Sequence, residues 1–305
     1  MLEPSSALLQ EELFSAAERD DVETLRWMLV ADSSAAFSAR RDGPDGRRQS
    51  PMLAACAAGA MGAVEILCAH LYHSEVAAEQ MEVGCDEGPL HAAVRNGRLQ
   101  VVQLLLSKLG PPELDINVQT KTGDTAFSLA CRHGQADVAR LLQSRGADIE
   151  LVTHRGATPF LIACQEGHAG LAEWLARDCG ADVFKAADGG FTPMYMACQN
   201  GHVNVVQTLI GLGLPHTNDS DNTFGTSPLY IAAQNGHLPL LRYLVAQPSI
   251  VRDLGWLHQP EKNGERGGFL TCLRSPSNLL PRLCRYLAVQ VQRRSTLRAN
   301  KVTWI

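Results

Sequence analysis

A proline, or its stand-in, followed eight residues later by glycine recurs six times along this chain: Pro51 to Gly59, Pro89 to Gly97, Ala126 to Gly134, Pro159 to Gly167, Pro193 to Gly201 and Pro228 to Gly236. Successive starts are 38, 37, 33, 34 and 35 residues apart. A period near 33 held over most of a chain restricts it to stacked repeats, in which each unit buries its apolar face only against its neighbours. A length of 305 residues would otherwise argue for about two globular domains. The aromatic share of 6% suits such thin layers, in which alanine-rich helices approach closely instead of filling one thick core.

Residues 190–214 show what one unit should do. The Thr192 hydroxyl is placed to cap a helix beginning at Pro193, whose missing N–H costs nothing at the first helical position. Met194, Met196, Ala197 and Cys198 supply flexible or small apolar surface, and Gly201 ends the helix in the left-handed conformation that glycine reaches without penalty. A second helix follows from about Val203, with Val205, Val206, Leu209 and Ile210 on one stripe. Equivalent stripes are Val101, Val102, Leu105 and Leu106, and Leu240, Leu241, Leu244 and Val245. Since the distance from proline to glycine is fixed, all length variation lies outside the first helix, around 72–87 and 109–120. Pro111-Pro112 breaks any helix in the second of these stretches.

Residues 5–29 read as a degenerate first unit, with Asp20 where later units carry glycine; an end unit is expected to be atypical because one face meets water. Residues 38–50 read as a polar loop. No aromatic residues interleave its Arg40, Arg41, Arg47 and Arg48, so nucleic-acid binding is not expected.

The pattern resembles the ankyrin repeat family, whose consensus runs Thr-Pro-Leu-His, an apolar residue, Ala-Ala, two variable residues, then Gly-His. Gly88-Pro89-Leu90-His91-Ala92-Ala93 with Gly97 matches it, as does Thr158-Pro159-Phe160 with Gly167-His168. The closes Gly146-Ala147-Asp148-Ile149 and Gly180-Ala181-Asp182-Val183 are similar to the family's Gly-Ala-Asp ending. Departures are Ala126 for proline, Tyr195 and Tyr230 for histidine, and Glu150 and Phe184 where asparagine is common. The resemblance implies an all-α solenoid of helix-turn-helix units with short β-turn fingers. About seven repeats would occupy residues 5–248, followed by a linker over 249–276 and a basic amphipathic helix and tail over 277–305.

Charge separates that tail from the body. Residues 261–305 carry nine Lys or Arg against two Glu, a net +7, which leaves −12 of the total −5 to the rest. Leu280, Leu283, Leu287 and Val291 lie on one helical face there. That helix is expected to cap the last repeat or to lie loosely attached. Leu280-x-x-x-Cys284-x-x-x-Ala288 is also similar to the elongin-contacting segment of the SOCS box. No Leu-Pro-x-Pro segment for cullin follows it.

The residues offer chemistry little. Nine cysteines, an odd number, several at one repeat phase, read as core positions and not as a disulfide framework. Met1-Leu2-Glu3-Pro4 lacks the order of a secretory signal, and no run of 18 apolar residues occurs, so a cytoplasmic or nuclear protein without a membrane span is expected. Cys164 with His168, Cys198 with His202 and Cys131 near His133 have spacings that tempt a zinc reading. The cysteines, however, occupy an alanine position, and His168 and His202 lie beyond a helix-ending glycine, where they are expected to satisfy turn backbone groups. No nucleophile elbow, metalloprotease helix or phosphate loop is present. Accordingly no catalytic residue, metal, cofactor or small-molecule substrate is expected.

Recognition of a protein is what remains. The resemblance implies a palm formed by exposed positions of the first helices and fingers formed by the loops before them. Palm candidates are Arg95, Arg132, Gln165, Gln199 and Gln234, joined by Asn96, His133, Glu166, Asn200 and Asn235, with Tyr195 and Tyr230 showing their hydroxyl ends. Finger candidates are Lys121, Arg155, Asp188, Phe191 and Phe224, the two phenylalanines being the expected anchors. Asn117 resembles the loop asparagine hydroxylated in some family members, beside the plainer expectation of loop hydrogen bonding. The reading is a protein-interaction scaffold. Its alternatives are a substrate-recruiting adaptor of a ubiquitin ligase working through the tail, and an enzyme.

Overall fold

In the computed structural model, residues 6–31, 39–43, 48–72, 87–108, 115–214 and 228–247 are described. Their helices fall into seven consecutive pairs. These are α1 (Ser6–Arg19) with α2 (Val22–Ala31), α3 (Pro51–Ala58) with α4 (Met61–Tyr72), α5 (Pro89–Arg95) with α6 (Leu99–Lys108), and α7 (Ala126–Arg132) with α8 (Ala136–Ser144). The series continues with α9 (Pro159–Gln165) and α10 (Ala169–Arg177), α11 (Pro193–Asn200) and α12 (Val203–Gly211), and α13 (Pro228–Gln234) and α14 (Leu238–Ala246). The chain divides into two compact units, residues 1–159 and 160–305. The linker and helix expected over 249–305 lie outside the described residues.

Each first helix starts where its sequence predicts. The Ser50 hydroxyl accepts from the Leu53 N–H ahead of Pro51, and the Thr192 hydroxyl accepts from the Tyr195 N–H ahead of Pro193. Thr125 and Ser128 form a reciprocal capping box, which supplies the start that Ala126 does not provide as proline. Gly201 closes α11 at φ 77°.

In the amino-terminal unit α1, α3, α5 and α7 stack in order, with α2, α4, α6 and α8 stacked beside them. The first helices α3 and α5 thus meet a neighbour on each side and their own second helix behind. Burial all round follows: Pro51–Cys56, Pro89–Val94 and Ala126–Cys131 are buried without a break. Second helices bury only a stripe, such as Val138, Ala139 and Leu142 on α8. In the carboxy-terminal unit α11 packs on α13, and α10, α12 and α14 follow one another.

The fingers are one hairpin repeated. Thr120 N–H donates to the Asp124 carbonyl, Thr153 to Ala157 and Ala187 to Phe191, each loop being tightened by a glycine N–H returning to the first residue. Residues 38–50, expected as a loop, instead hold a short antiparallel pair, β1 (Arg41–Asp42) and β2 (Arg48–Gln49), with Arg41 opposite Gln49. Arg41 sits 4.4 Å over the Phe14 ring and forms an ion pair with Glu18, so the cation is engaged by α1.

Junctions between repeats are fastened by a side chain reaching back to the preceding first helix. Arg98 Nε donates to the Ala57 carbonyl at 3.0 Å and Gln135 Nε2 to Val94 at 2.7 Å; His202 Nε2 donates to Gln165 at 2.9 Å and His237 Nε2 to Gln199 at 2.8 Å. Each fastener lies over the helix-ending glycine of the unit before it. A Cβ on Gly201 would meet His237 Nδ1 at 2.5 Å, and one on Gly59 would meet Arg98 Cδ at 3.0 Å. The histidines therefore serve the neighbouring repeat, where the sequence had them satisfying their own turn.

The first junction is built differently. Asp20, in the left-handed region at φ 60°, receives the Ala63 N–H of α4 on its carboxylate. A short acidic side chain tolerates that conformation and favours a helix start, so this departure from glycine caps the next unit.

Candidate partner-binding surface

Palm positions in the amino-terminal unit are tied down. Arg95 forks onto Glu87, and Arg132 meets Asp124 at 2.6 Å; both pairs link the last turn of a first helix to the residue eight positions earlier, at the finger's base. Burial raises the Asp124 carboxyl, but the Thr122 hydroxyl and the Arg132 guanidinium outweigh it and leave the group below the usual carboxylate range. Asn96 Nδ2 donates back to the Ala92 carbonyl. These residues were expected to be free of structural work; the geometry gives them some, while leaving Arg95 and Arg132 half-exposed. His133 is exposed, as are Lys121 and Arg155 at the finger tips.

In the carboxy-terminal unit Gln165 and Gln199 are half-buried, and Glu166, Asn200, Gln234 and Asn235 are exposed. Asn200 Nδ2 donates to the Gln165 carbonyl and Asn235 Nδ2 to the Gln199 carbonyl, so the asparagine ladder doubles the histidine fasteners. Gln165 itself donates to Glu166. Asp188 is exposed on its finger.

Two expectations for aromatic residues change. Tyr195 is only 5% exposed, not displayed, because it takes the third helical position, which is buried also at Leu53, His91, Ser128 and Leu161. Phe191 is half-buried and packs on Tyr195 with ring centroids 5.3 Å apart, within its own unit. Among the described residues of this unit, the aromatic side chain displayed is Phe184, 63% exposed. Its signal in the sequence was the departure from asparagine. At the same position Asn117 accepts the Asp148 N–H at 2.8 Å, bridging consecutive fingers, and phenylalanine cannot make that bond. Phe224, the Tyr230 side chain and the segment Leu280 to Ala288 lie outside the described residues.

Cys131, Cys164 and Cys198 are buried in the first helices. Burial pushes the Cys164 thiol well up and that of Cys198 up to about 12, which suits packing and opposes the thiolate needed for metal binding or attack. Among the described residues no three His, Cys, Asp or Glu side chains gather as a ligand set, and no helix is long and apolar enough to cross a membrane.

His91 shows the family position with its histidine present. Nδ1 accepts the Gly88 N–H at 3.1 Å, which leaves Nε2 protonated to donate to the Val118 carbonyl at 2.9 Å. Burial holds the imidazole below its ordinary value of 6.5, against the Val118 bond and Glu87. The unfolded chain therefore takes up a proton that the folded chain resists, so stability is full above pH 6.5 and falls as pH drops below it. A thermal scan from pH 7.5 to 5.5 should show a falling Tm whose slope flattens in His91→Gln; an equal slope in both would exclude His91 as the cause.

Helix pairs stacked through buried first helices, with hairpin fingers over 120–124, 153–157 and 187–191, define a solenoid repeat protein. The family model for ankyrin repeats matches residues 13–117, 109–187 and 179–253. The chain belongs to the ankyrin repeat family, and that membership supports a protein-interaction role. It is 44% identical over 54 residues to the probable E3 ubiquitin-protein ligase XBOS33 of Oryza sativa subsp. japonica, a match covering 18% of this chain and 10% of that protein. It is 46% identical over 59 residues to protein phosphatase 1 regulatory subunit 27 of Mus musculus, covering 19% of this chain and 36% of that protein. The chain thus spans about a tenth and about a third of the lengths of these relatives.

Proposed function

We propose that this protein is a non-enzymatic scaffold that holds a protein partner on the displayed positions of its first helices and fingers. The observation that carries it is the set of cross-repeat fasteners from Arg98, Gln135, His202 and His237, which hold the helix ends from which those positions project. Binding on a surface already fixed spends little free energy on ordering it. Contacts would come from Lys121, Arg155, Arg95 and Arg132 in the amino-terminal unit. In the carboxy-terminal unit they would come from Gln165, Gln199, Gln234, Phe184 and Phe191.

The exposures of the two phenylalanines separate binding from packing. Phe184→Ala should leave Tm within about 2 °C, as exposed substitutions do, and lower capture of a partner from cell lysate about tenfold, the effect of losing an interface anchor. Phe191→Ala should lower both Tm and capture, because that ring also covers Tyr195. Partners retained by Phe184→Ala, by Phe191→Ala and by a Lys121→Ala/Arg155→Ala variant alike would overturn the proposal. The similarity to a ligase spans a tenth of that protein and does not carry ligase recruitment to this chain.

A further inference from the structure

The amino-terminal unit has a cavity of about 300 Å³ on the palm side of α3 and α5, between Gln49, Ala57, Ala92 and Arg95, with Glu18 and Glu87 on its walls. Its origin can be read from the repeat. In the next two units, the acceptor at the finger's base receives a guanidinium from eight residues later: Glu87 from Arg95, and Asp124 from Arg132. In this unit the acceptor position is Gln49, and eight residues later stands Ala57. Ala58 likewise replaces the Asn96 and His133 of those units. The long side chain at the equivalent position of the next two units is absent, and Gln49 Oε1 is left buried without a hydrogen-bond donor among the described residues. Orphaned acceptors of that kind are uncommon in folded proteins, because each has lost its water without compensation.

We infer that this cavity receives the side chain of an arginine supplied by a partner protein, which takes the place of the guanidinium that Ala57 omits. This deepens the reading of the chain as a partner-binding stack and rests on it. An arginine fits on three counts. Its aliphatic stem matches the floor of Ala57, Ala58 and Ala92. Its planar group offers donors to Gln49 Oε1, and the terminal amide torsion of Gln49 is soft enough to turn that oxygen toward the cavity. Charge favours it as well: Arg95 is neutralised by Glu87, whereas among the described residues Glu11 and Glu18 both turn to Arg41. Residues 1–159 as a whole hold 14 Lys or Arg against 22 Asp or Glu, which gives 14 − 22 = −8.

The test uses the full chain, labelled with ¹⁵N, and n-butylguanidinium as an arginine side chain without its backbone. Titration should shift the amides of Leu53, Ala57 and Ala92 and the Gln49 side-chain amide, with n-butylammonium binding more weakly. Ala57→Arg supplies the missing group in cis; it should raise Tm and abolish the shifts. Gln49→Leu removes the acceptor and should weaken binding about tenfold, the loss of one charge-assisted hydrogen bond. Shifts absent from the wild type, or unchanged in both variants, would overturn the inference. A displayed random dodecapeptide library panned on the same proteins should enrich arginine on wild type and not on Ala57→Arg. Enrichment of peptides without that arginine bias would discard the cavity while leaving the partner-binding reading in place. A dimer dissolved by Ala57→Arg would assign the arginine to a second copy and also overturn the inference as stated.

Discussion

Replacing Phe127 by alanine is expected to destabilise the amino-terminal unit by about 3–5 kcal/mol, the range for a fully enclosed phenylalanine. The residue is 0% exposed on α7, a helix buried from Ala126 to Cys131. Because α7 packs between its own α8 and the preceding α5, the void has walls that belong to separate helices and cannot close by moving one of them. At about 2–4 °C per kcal/mol for a unit of this size, Tm should fall by roughly 6–20 °C. Hydrogen exchange should place the loss first in α5, α7 and α8, since repeats transmit destabilisation to their neighbours. Phe127→Leu should cost less than half as much. A fall below 1 °C in Phe127→Ala would mean that this layer is not packed as described.

Gly123→Ala should have the second large effect, through the backbone. Gly123 lies at the finger tip with φ 79°, and a Cβ there would come within 2.4 Å of the His154 nitrogen and 3.0 Å of the Thr153 carbonyl carbon. Both are main-chain atoms of the next finger, held by the bond from His154 N–H to the Thr122 carbonyl, so they cannot swing aside as a side chain would. Gly146→Ala is the matched control: it too is left-handed, at φ 88°, but its Cβ would meet nothing within 4 Å. The control should lose only the conformational cost of about 1–2 kcal/mol. Gly123→Ala should lose that and a further amount of at least about 1 kcal/mol from the displaced neighbour. Equal losses in chemical denaturation of the two variants would show that adjacent fingers do not touch.

The repeat itself was open to reading because its determinants are local and periodic. Thr192, Pro193, Ala197 and Gly201 each act within one helix, and six copies reinforce one another. Cys56, Cys131, Cys164 and Cys198, which share one repeat phase, read correctly as core for the same reason. Part of what escaped involves partners more than 30 residues apart. The junction fastener is invisible to a search for recurring residue types because Arg98, Gln135, His202 and His237 perform one task with three chemistries. Tyr195 was misjudged because a hydroxyl suggests display, whereas its position in the helix is enclosed from every side. Arg95 and Arg132 stand in register, the pattern of a display ladder; their partners Glu87 and Asp124 lie eight residues earlier, a spacing that has meaning only once the finger folds over the helix end. Ala57 carried its signal as an absence, and small residues are so common here that one more attracts no notice.

The seating of each fastener on a neighbour's glycine limits how interchangeable the repeats are. Swapping, duplicating or deleting a unit brings a glycine seat from one repeat beneath a fastener shaped for another: the Gly201 seat fits an imidazole, and the Gly59 seat a guanidinium stem. Units that look modular in their first helices are therefore matched in ordered pairs, and a lineage could replace the fastener at a junction far more freely than the glycine beneath it.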